Sequence, residues 1–401
     1  MNFQHNANSI PNKHWDVIVI GAGPSGAMTA AHLAAKHHRV LLLDHKKFPR
    51  EKICGDGLLP DSLRCLDTID IGERIRSLGR RISICSLISP SQKEVKIPGE
   101  YLTIKRSLLD MMVVERAVKL GTFFGCGAVK NILVRSNGLV SVSIKGSDKQ
   151  FSARIGILAT GANIHLARKL GWHTKNRPTA VALRCYVHST YNLDQMIVSY
   201  DKSIKPGYAW IFPMRNKAYN LGCGVTLNRL RKGSFNLKEM FFNFIKTFPP
   251  ARKLMNESKL ITPIRWATLR HDFQGLYPFI KGPVIAVGET IGTTLPFLGE
   301  GIGKAMESGC MAAEVVSASL DSNDLNEIIK YEKYVNSDLK PRYQGYRMAE
   351  KWLESSWLMD LLVYRSGRSN YAKNILAGII DETCNPKDLV SLKGILKTFW
   401  K

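Results

Sequence analysis

A glycine-rich turn near the start of the chain has the residue types and the spacing that bind a dinucleotide. Gly21, Gly23 and Gly26 form a GxGxxG pattern, with Pro24 and Ser25 between the last two glycines. The first glycine permits a tight turn, the second lets the backbone approach a pyrophosphate, and the third lets the following helix pack closely. The first turn of that helix also presents free N–H groups to the phosphate. We therefore expect residues 21–26 to hold the pyrophosphate of a cofactor.

The segments around this turn supply the context that an isolated GxGxxG pattern lacks. The apolar run at residues 17–20 predicts a strand that is buried on both faces. An Ala-rich helix follows the turn, and residues 40–43 predict a second strand. Asp44 ends that strand, where a carboxylate can accept hydrogen bonds from a ribose hydroxyl. A plain glycine-rich turn does not account for this order of strand, turn, helix, strand and acid.

A second stretch, HKKFPREKICGDGLL at residues 45–59, has the composition of a functional loop. The glycines at 55 and 57 allow the loop to lie against a flat ligand beside Cys54. Arg50, just upstream, can pair with a diphosphate. A surface loop with an ordinary thiol explains the same residues equally well.

Three aromatic residues alternate along another predicted strand. Tyr208, Trp210 and Phe212 share one face of a strand, because side chains two residues apart point to the same side. Such a wall lines an apolar substrate cavity or faces the core. Packing in the core is the commoner role of aromatic side chains on strands.

A third stretch runs from an apolar strand at residues 283–288 through a loop into a glycine-rich turn and a helix. Its acidic residue can bind a polyol hydroxyl, and the start of its helix can face negative charge that develops on a ring. An electron sink such as a flavin benefits from that arrangement. The candidate cofactor-binding residues here are Gly288, Glu289, Gly299, Gly301, Ile302 and Gly303.

Charge and composition narrow the class of protein. The 401 residues suffice for two or three domains, and 45% of them are hydrophobic, so a sizeable core is expected. Lys and Arg number 57 against 33 Asp and Glu, which gives a formal net charge of +24. Such a balance favours anionic partners, although a generally basic proteome produces it too. No basic–aromatic module of the kind that binds single strands is present, so we expect no nucleic-acid partner.

The cysteines and the apolar segments indicate the compartment. Eight cysteines are scattered without a CxxC pair, which argues against a zinc or iron–sulfur site and for a reduced, cytoplasmic setting. We expect no metal. The sequence has no secretory signal and no apolar stretch of about 18 residues. Basic, Trp-containing helices in the last 76 residues leave peripheral association with an anionic membrane open.

The order of elements predicts an α/β fold, α+β overall. A Rossmann-like cofactor-binding domain is expected at residues 15–177 and 278–325, because the strand at 283–288 should rejoin the first sheet. An antiparallel-sheet substrate domain is expected at 178–277, inserted between the two parts. A helical region is expected at 326–401.

Taken together, these motifs resemble the FAD-dependent oxidoreductases of the p-hydroxybenzoate-hydroxylase-like superfamily, and within it the geranylgeranyl reductase family. GAGPSG with Asp44 matches the family's FAD-adenosine site, and FPREKICGDGLLP matches its CGG/CGEG loop. Arg106 falls at the family's arginine after a strand. GYAWIFP with LGCG resembles the YxWxFP…GxG substrate motif, and GETIGTTLPFLGEGIGKAMESG resembles the GDAAGxxxPxxGEGIxxAMxSG signature.

The resemblance implies a resident FAD, with NAD(P)H or another donor as the source of electrons. It implies that reduced flavin transfers a hydride to a carbon–carbon double bond of a prenyl chain or similar lipid, including a prenyl diphosphate. Arg50 and Arg106 would help to hold FAD, the three aromatic residues would line the tail pocket, and Cys54 would position or protonate the substrate. Two departures stand out: Glu289 replaces the usual Asp, and Thr160-Gly161 replaces an Asp-Gly pair of the hydroxylases.

Two other functions remain open from the sequence. A flavin monooxygenase, epoxidase or halogenase would share the fold and an aromatic strand like that at 208–213, although halogenase loops differ from CGDG. A non-catalytic prenyl-binding protein, as in the GDP-dissociation inhibitors, would share the fold, but the intact GxGxxG and Asp44 argue against it.

Overall fold

The computed structural model describes residues 4–172, 177–227, 235–352 and 355–400, and its strands form two large sheets. Strand–turn–helix–strand at residues 15–44 begins the first sheet, as the sequence predicts. Six neighbouring strands of this sheet run parallel, in the order His5–Asn6, Phe123–Cys126, Val40–Asp44, Trp15–Ile20, Gln150–Leu158, Val284–Ala286. Antiparallel strands complete it, namely Ile280–Lys281, Val129–Val134 and Val140–Ile144.

Helices cover the first sheet, and one of them begins at the glycine-rich turn. Pro24–Ala35 packs against Ile302–Ser322, and Thr29 Oγ1 donates to the Gly309 carbonyl at 3.0 Å across this contact. Gly309 leaves no room for a side chain, because a Cβ there would overlap the Ser25 carbonyl oxygen. The other helices of this part of the chain are Pro60–Asp67, Gly72–Leu78, Arg106–Lys119 and His165–Lys169.

The second sheet also holds nine strands in the described part of the chain. Its order is Ser258–Leu260, Ala180–Ser189, Ala218–Thr226, Gly207–Pro213, Met196–Ser199, Arg80–Ile88, Glu94–Thr103, Gly57–Leu58, with Arg265–Leu269 also paired to Ala180–Ser189. All pairs are antiparallel except that of Met196–Ser199 with Arg80–Ile88. Three of these strands come from residues 57–103, so the second sheet extends beyond 178–277. The domain ranges themselves stay a prediction.

Helices also cover the second sheet. Leu237–Thr247 and Pro249–Asn256 bury Phe241, Phe244 and Phe248 against one face. The C-terminal helices pack Tyr343 and Leu376 into the cluster that contains Ile97. They are Ile329–Tyr334, Lys340–Trp352, Ser356–Ser366, Asn370–Ile380, Lys387–Val390 and Leu392–Trp400, with a π-helical turn at Val335–Leu339.

None of the helices in the described segments combines the length and the apolar character that crossing a bilayer requires.

Candidate active site

A cavity of about 810 Å³ lies between the two sheets. That volume is near the upper end of the range for ligand pockets, about 300–1,000 Å³. Most residues that the sequence singles out line it: Gly21, Gly23, Pro24, Ser25, Asp44, Arg50, Cys54, Arg106, Tyr208, Trp210, Phe212, Glu289, Gly299, Gly301 and Ile302. Three predicted glycines lie behind this lining, at positions 26, 288 and 303. A Cβ there would overlap the Gly21 carbonyl, the Ser25 hydroxyl and the Asp61 carboxylate respectively, so these glycines permit close packing around the cavity.

The glycine-rich turn leaves backbone groups open to this cavity. Gly21 has a φ of +104°, and a Cβ there would overlap the Ala159 carbonyl oxygen. Gly23 has an open space in front of it, since the nearest atom to a Cβ would be Arg50 Nη2 at 3.7 Å. The helix that starts at Pro24 has no side-chain cap. Its first N–H groups are therefore available to an anion, as the sequence predicts for a pyrophosphate.

Asp44 is fixed as an acceptor at the end of its strand. Its carboxylate accepts from the backbone N–H of Ala22 and of Lys46, both at 3.0 Å. Burial opposes its ionisation, but His45, Arg50 and the two N–H groups outweigh this effect and lower the pKa of Asp44. The side chain is therefore an ionised acceptor, as a ribose hydroxyl requires.

Two arginines and one buried acid stand beside the turn. Arg50 Nη1 lies 3.2 Å from Asp110 Oδ2, and its Nε lies 3.5 Å from Asp44 Oδ2. Arg106 forms a two-pronged pair with Asp110, at 2.7 and 2.9 Å. The paired acid fixes both guanidinium groups. Arg50 Nη2 is the nearest atom to a Cβ built at Gly23, so this guanidinium lies beside the turn, where a cofactor phosphate is a fitting partner.

Cys54 and the aromatic strand meet in the same part of the cavity. The rings of Tyr208 and Trp210 are 6.1 Å apart and those of Trp210 and Phe212 are 6.4 Å apart, so the three form one continuous wall. The loop glycines face this wall, because a Cβ at Gly55 would lie 3.3 Å from the Phe212 ring. Burial raises the pKa of Cys54, although Arg106 beside it works in the opposite direction. The thiol is therefore kept protonated at neutral pH.

A buried polar network supports this loop, and the sequence reading missed most of it. Asn220, which has no exposed surface, donates to the Cys54 carbonyl at 2.8 Å and to Asp56 Oδ2 at 2.9 Å. Its carbonyl accepts from Trp210 Nε1 at 2.9 Å. Tyr186 donates a short hydrogen bond to Asp56. Asn220 thus joins the loop, the wall and the second sheet through one side chain.

Asp56 is the ionisable centre of this network. Burial raises the pKa of Asp56 to about 6, against the lowering effects of Tyr186, Asn220, Arg184 and Arg106. The only sequence signal for it was its place between two glycines, which is typical of any loop. Its partners lie 130 and 164 residues away along the chain, so spacing could not reveal them.

The turn at residues 298–301 joins the aromatic wall to the long helix. Tyr208 donates to the Leu298 carbonyl at 3.2 Å, and a Cβ at Gly299 would overlap the Tyr208 hydroxyl. Glu300 accepts from the Gly303 N–H at 2.6 Å. Burial, Asp61 and Glu382 raise the pKa of Glu300 far above its usual range, so this carboxyl is neutral. A neutral Glu300 adds no negative charge to the positive end of this helix.

Glu289 lies at the cavity with both carboxylate oxygens oriented. One accepts from the backbone N–H of Arg270 at 3.2 Å, and the other lies 3.8 Å from Lys52 Nζ. The added methylene relative to an aspartate therefore does not remove this carboxylate from the site.

The open turn, the ionised Asp44 and the Arg50 guanidinium beside the turn fit a flavin dinucleotide. Fold and cavity together define an FAD-dependent oxidoreductase. Residues 14–149 match the FAD binding domain, and residues 180–262 match the geranylgeranyl reductase catalytic domain. The chain belongs to the geranylgeranyl reductase family.

Individual relatives agree with this membership. The menaquinone reductase of Mycobacterium tuberculosis is 30% identical over 329 residues, which cover 77% of each chain. Digeranylgeranylglycerophospholipid reductase 1 of Methanosphaera stadtmanae is 27% identical and covers 96% of this chain and 93% of its own.

Solved structures share the fold. A geranylgeranyl bacteriochlorophyll reductase-like protein of Thermoplasma acidophilum has a TM-score of 0.78 at 21% identity, covering 98% of this chain and 97% of its own. A flavin-dependent brominase also has a TM-score of 0.78, at 18% identity, covering 96% and 98%. The likeness to both classes shows that the fold alone does not choose between reduction and halogenation.

Proposed function

We propose that this protein reduces carbon–carbon double bonds in the isoprenoid chain of a lipid. One observation carries the proposal: a protonated, partly buried thiol at Cys54 lies beside an apolar aromatic wall in the cavity that holds the dinucleotide turn. The names of the relatives support the same substrate class, since they are reductases of prenylated quinones or prenylated glycerophospholipids.

The cavity divides into a polar and an apolar part. The polar part, with Gly23, Asp44 and Arg50, would hold the FAD pyrophosphate and ribose. The apolar part would receive the isoprenoid chain, and its lining residues are Cys85, Leu87, Met196, Val198, Phe297 and Ile380. When a hydrocarbon chain displaces water from this part of the cavity, binding is stabilised by about 25 cal/mol for each Å² of apolar surface removed from water.

The chain's own residues would prepare the reaction by orientation and by proton supply. Bound FAD, once reduced by NAD(P)H or another donor, supplies the hydride equivalent. Tyr208, Trp210 and Phe212 would hold the double bond and exclude water. Cys54, which its raised pKa keeps protonated at neutral pH, would donate the proton to the second carbon of the double bond. Asn220 would fix the position of the Cys54 backbone relative to the Trp210 ring through its two hydrogen bonds.

The surface next to the cavity supports access from an anionic membrane. Ala267, Thr268 and Leu269 line the cavity, while Trp266 on the same strand is 67% exposed. Leu260 is also exposed, 57%, and pairs with the same neighbouring strand as Trp266. Lys259 and Arg265 flank these apolar side chains, an arrangement that suits an anionic lipid surface. In the C-terminal helices Trp357 is exposed and Trp352 is buried.

Product analysis tests the proposal against the halogenase and monooxygenase alternatives. The purified protein is supplied with a reductant, under argon and in air, together with a polyprenylated quinone or a prenylated glycerophospholipid. The expected product carries two added hydrogens for each reduced bond and forms without oxygen. A product that forms only in air and carries oxygen or halogen would overturn the proposal.

A further inference from the structure

A short arm at the start of the described chain lies along the edge of the first sheet. His5–Asn6 pairs in parallel with Phe123–Cys126, which is the strand next to Val40–Asp44. The His5 ring stacks on the Phe123 ring, with 4.4 Å between the two ring centres. The arm therefore adds an edge strand to the sheet that carries the dinucleotide turn.

Buried contacts hold the arm in this position. Ile10 has no exposed surface, and a Cβ at Gly125 would overlap its side chain. Lys149 Nζ donates to the carbonyl groups of Asn8 and Ile10, at 2.5 and 3.0 Å. The course of the chain before the first long strand is therefore fixed by packing and by hydrogen bonds.

Gln4 extends from the arm to the loop that carries Arg50. Its side-chain amide donates to the Phe48 carbonyl at 2.6 Å, and its amide oxygen accepts from the Phe48 N–H at 2.7 Å. One side chain thus pairs with both backbone groups of one residue, as a neighbouring strand would. Residues 45–50 form neither helix nor strand. Gln4 therefore supplies a pairing that secondary structure does not give this loop.

Phe48 connects this pairing to the cofactor side of the cavity. Its buried ring meets the Phe124 ring edge-on, with 5.5 Å between the centres. The central guanidinium carbon of Arg50 lies 4.7 Å from the centre of the Phe48 ring, a cation–π contact. Arg50 Nη2 is in turn the nearest atom to a Cβ built at Gly23. A path of contacts therefore leads from Gln4 to the guanidinium beside the dinucleotide turn.

We propose that Gln4 is a positioning residue for FAD, which fixes Phe48 and thereby orients Arg50 toward the cofactor diphosphate. The proposal rests on FAD in this cavity and on the role of Arg50, and it does not depend on the identity of the lipid substrate. Gln4 itself lies outside the cavity lining, so it acts through the loop. It also precedes residues 14–149, which match the FAD binding domain.

A purely structural role for Gln4 gives a different expectation. If its side chain only stabilised the fold, its loss would lower the unfolding temperature of the flavin-free protein. If it orients Arg50, its loss lowers the affinity for FAD while the flavin-free protein unfolds at the same temperature. Gln4 is half-buried at the edge of the sheet, so its truncation leaves the hydrophobic core intact.

Titration of the flavin-free protein with FAD measures this affinity without any substrate. Gln4→Ala should raise the Kd for FAD about tenfold, because the two hydrogen bonds that order the loop are lost. The unfolding temperature of the flavin-free protein should not change. Ser9→Ala is the matched control, since Ser9 is exposed in the same arm and donates to the Asn6 carbonyl within it. It should leave both the Kd and the unfolding temperature unchanged.

A double-mutant cycle with Arg50→Gln tests the path of contacts. Arg50→Gln should weaken FAD binding by itself, and Gln4→Ala should then add less than about a twofold loss, because the guanidinium that it orients is absent. Hydrogen exchange at residues 45–50 of flavin-free Gln4→Ala should be faster than in the unmodified protein. If Gln4→Ala binds FAD as tightly as the unmodified protein, or weakens binding about tenfold in the Arg50→Gln background too, the proposal is wrong.

Discussion

At the scale of single residues, Cys54 carries the chemical step in our account. The sequence suggested this cysteine through its glycine-rich loop and through the family resemblance. The structure adds the reason for its protonation, since burial raises the pKa of the thiol while Arg106 only partly opposes that effect. Asp56 and Asn220 could not be recognised in the same way, because a buried network between distant residues leaves no local pattern.

Replacing Cys54 should remove the proton donor and leave the cofactor in place. Cys54→Ala is expected to lower kcat by a factor of about 10²–10⁴, the usual contribution of a general acid. Cys54→Ser is closer in shape and keeps a weak proton donor, so its kcat should lie between that of the unmodified protein and that of Cys54→Ala. The readouts are kcat and the visible spectrum of bound flavin. Full turnover by Cys54→Ala with FAD bound would remove Cys54 from the mechanism.

Asp56 should make stability depend on pH in an unusual direction. Its pKa is about 6 in the folded state and 3.8 ordinarily, so the folded protein binds an extra proton between these values. The free energy of unfolding should therefore fall as pH rises from about 4 to about 6, by roughly 3 kcal/mol. Urea unfolding of the unmodified protein and of Asp56→Asn at several pH values isolates this contribution. A difference between the two proteins that does not change with pH would contradict the assignment.

At the scale of elements, local patterns predicted the first sheet far better than the second. The strand, turn and helix at 15–44 are contiguous, so periodicity and glycine spacing were sufficient. Arg80–Ile88 was missed as a strand of the second sheet. It pairs with the nearby Glu94–Thr103, but its other partner, Met196–Ser199, lies more than 100 residues away. The chain between Leu237 and Asn256 forms two helices, Leu237–Thr247 and Pro249–Asn256, because Pro249 and Pro250 start a new helix.

The dinucleotide turn offers a test at this scale with a matched control. Gly21 and Gly138 both have positive φ, +104° and +81°. A Cβ at Gly21 would overlap the Ala159 carbonyl, whereas a Cβ at Gly138 would meet open space. Gly21→Ala should therefore yield protein without FAD, and Gly138→Ala should stay yellow at a cost of about 1–2 kcal/mol in stability. Absorbance of bound flavin and thermal unfolding measure both effects, and a yellow Gly21→Ala protein would refute this reading of the turn.

At the scale of the whole molecule, the two sheets enclose the cavity, and the chain carries a formal net charge of +24. Charge and composition were readable from the sequence, but the position of the apolar edge was not, because Leu260 and Trp266 become neighbours of one strand only after folding. This edge lies beside residues that line the cavity. This edge is the point at which we propose that the protein contacts a membrane surface.

Binding to anionic vesicles should depend on this edge and on salt. Each basic residue near an anionic surface contributes about 1 kcal/mol to binding by electrostatic attraction, which salt screens. Co-sedimentation with phosphatidylserine-containing vesicles should therefore weaken as salt rises. Lys259→Glu with Arg265→Glu should abolish most binding. Lys130→Glu with Lys145→Glu, on the exposed hairpin of the first sheet, changes the net charge equally and should retain it. If both double variants lost vesicle binding equally, or if binding did not depend on anionic lipid, a specific docking edge would be contradicted.

The most direct test of the central claim is anaerobic reoxidation of the flavin followed by absorbance. The purified protein is reduced under argon, freed of excess reductant and mixed with an unsaturated polyprenylated lipid or with its fully saturated counterpart. Our account predicts that the yellow absorbance returns only with the unsaturated lipid, and that the lipid gains two hydrogens per flavin. Reoxidation by oxygen alone, with no response to the unsaturated lipid, would contradict it.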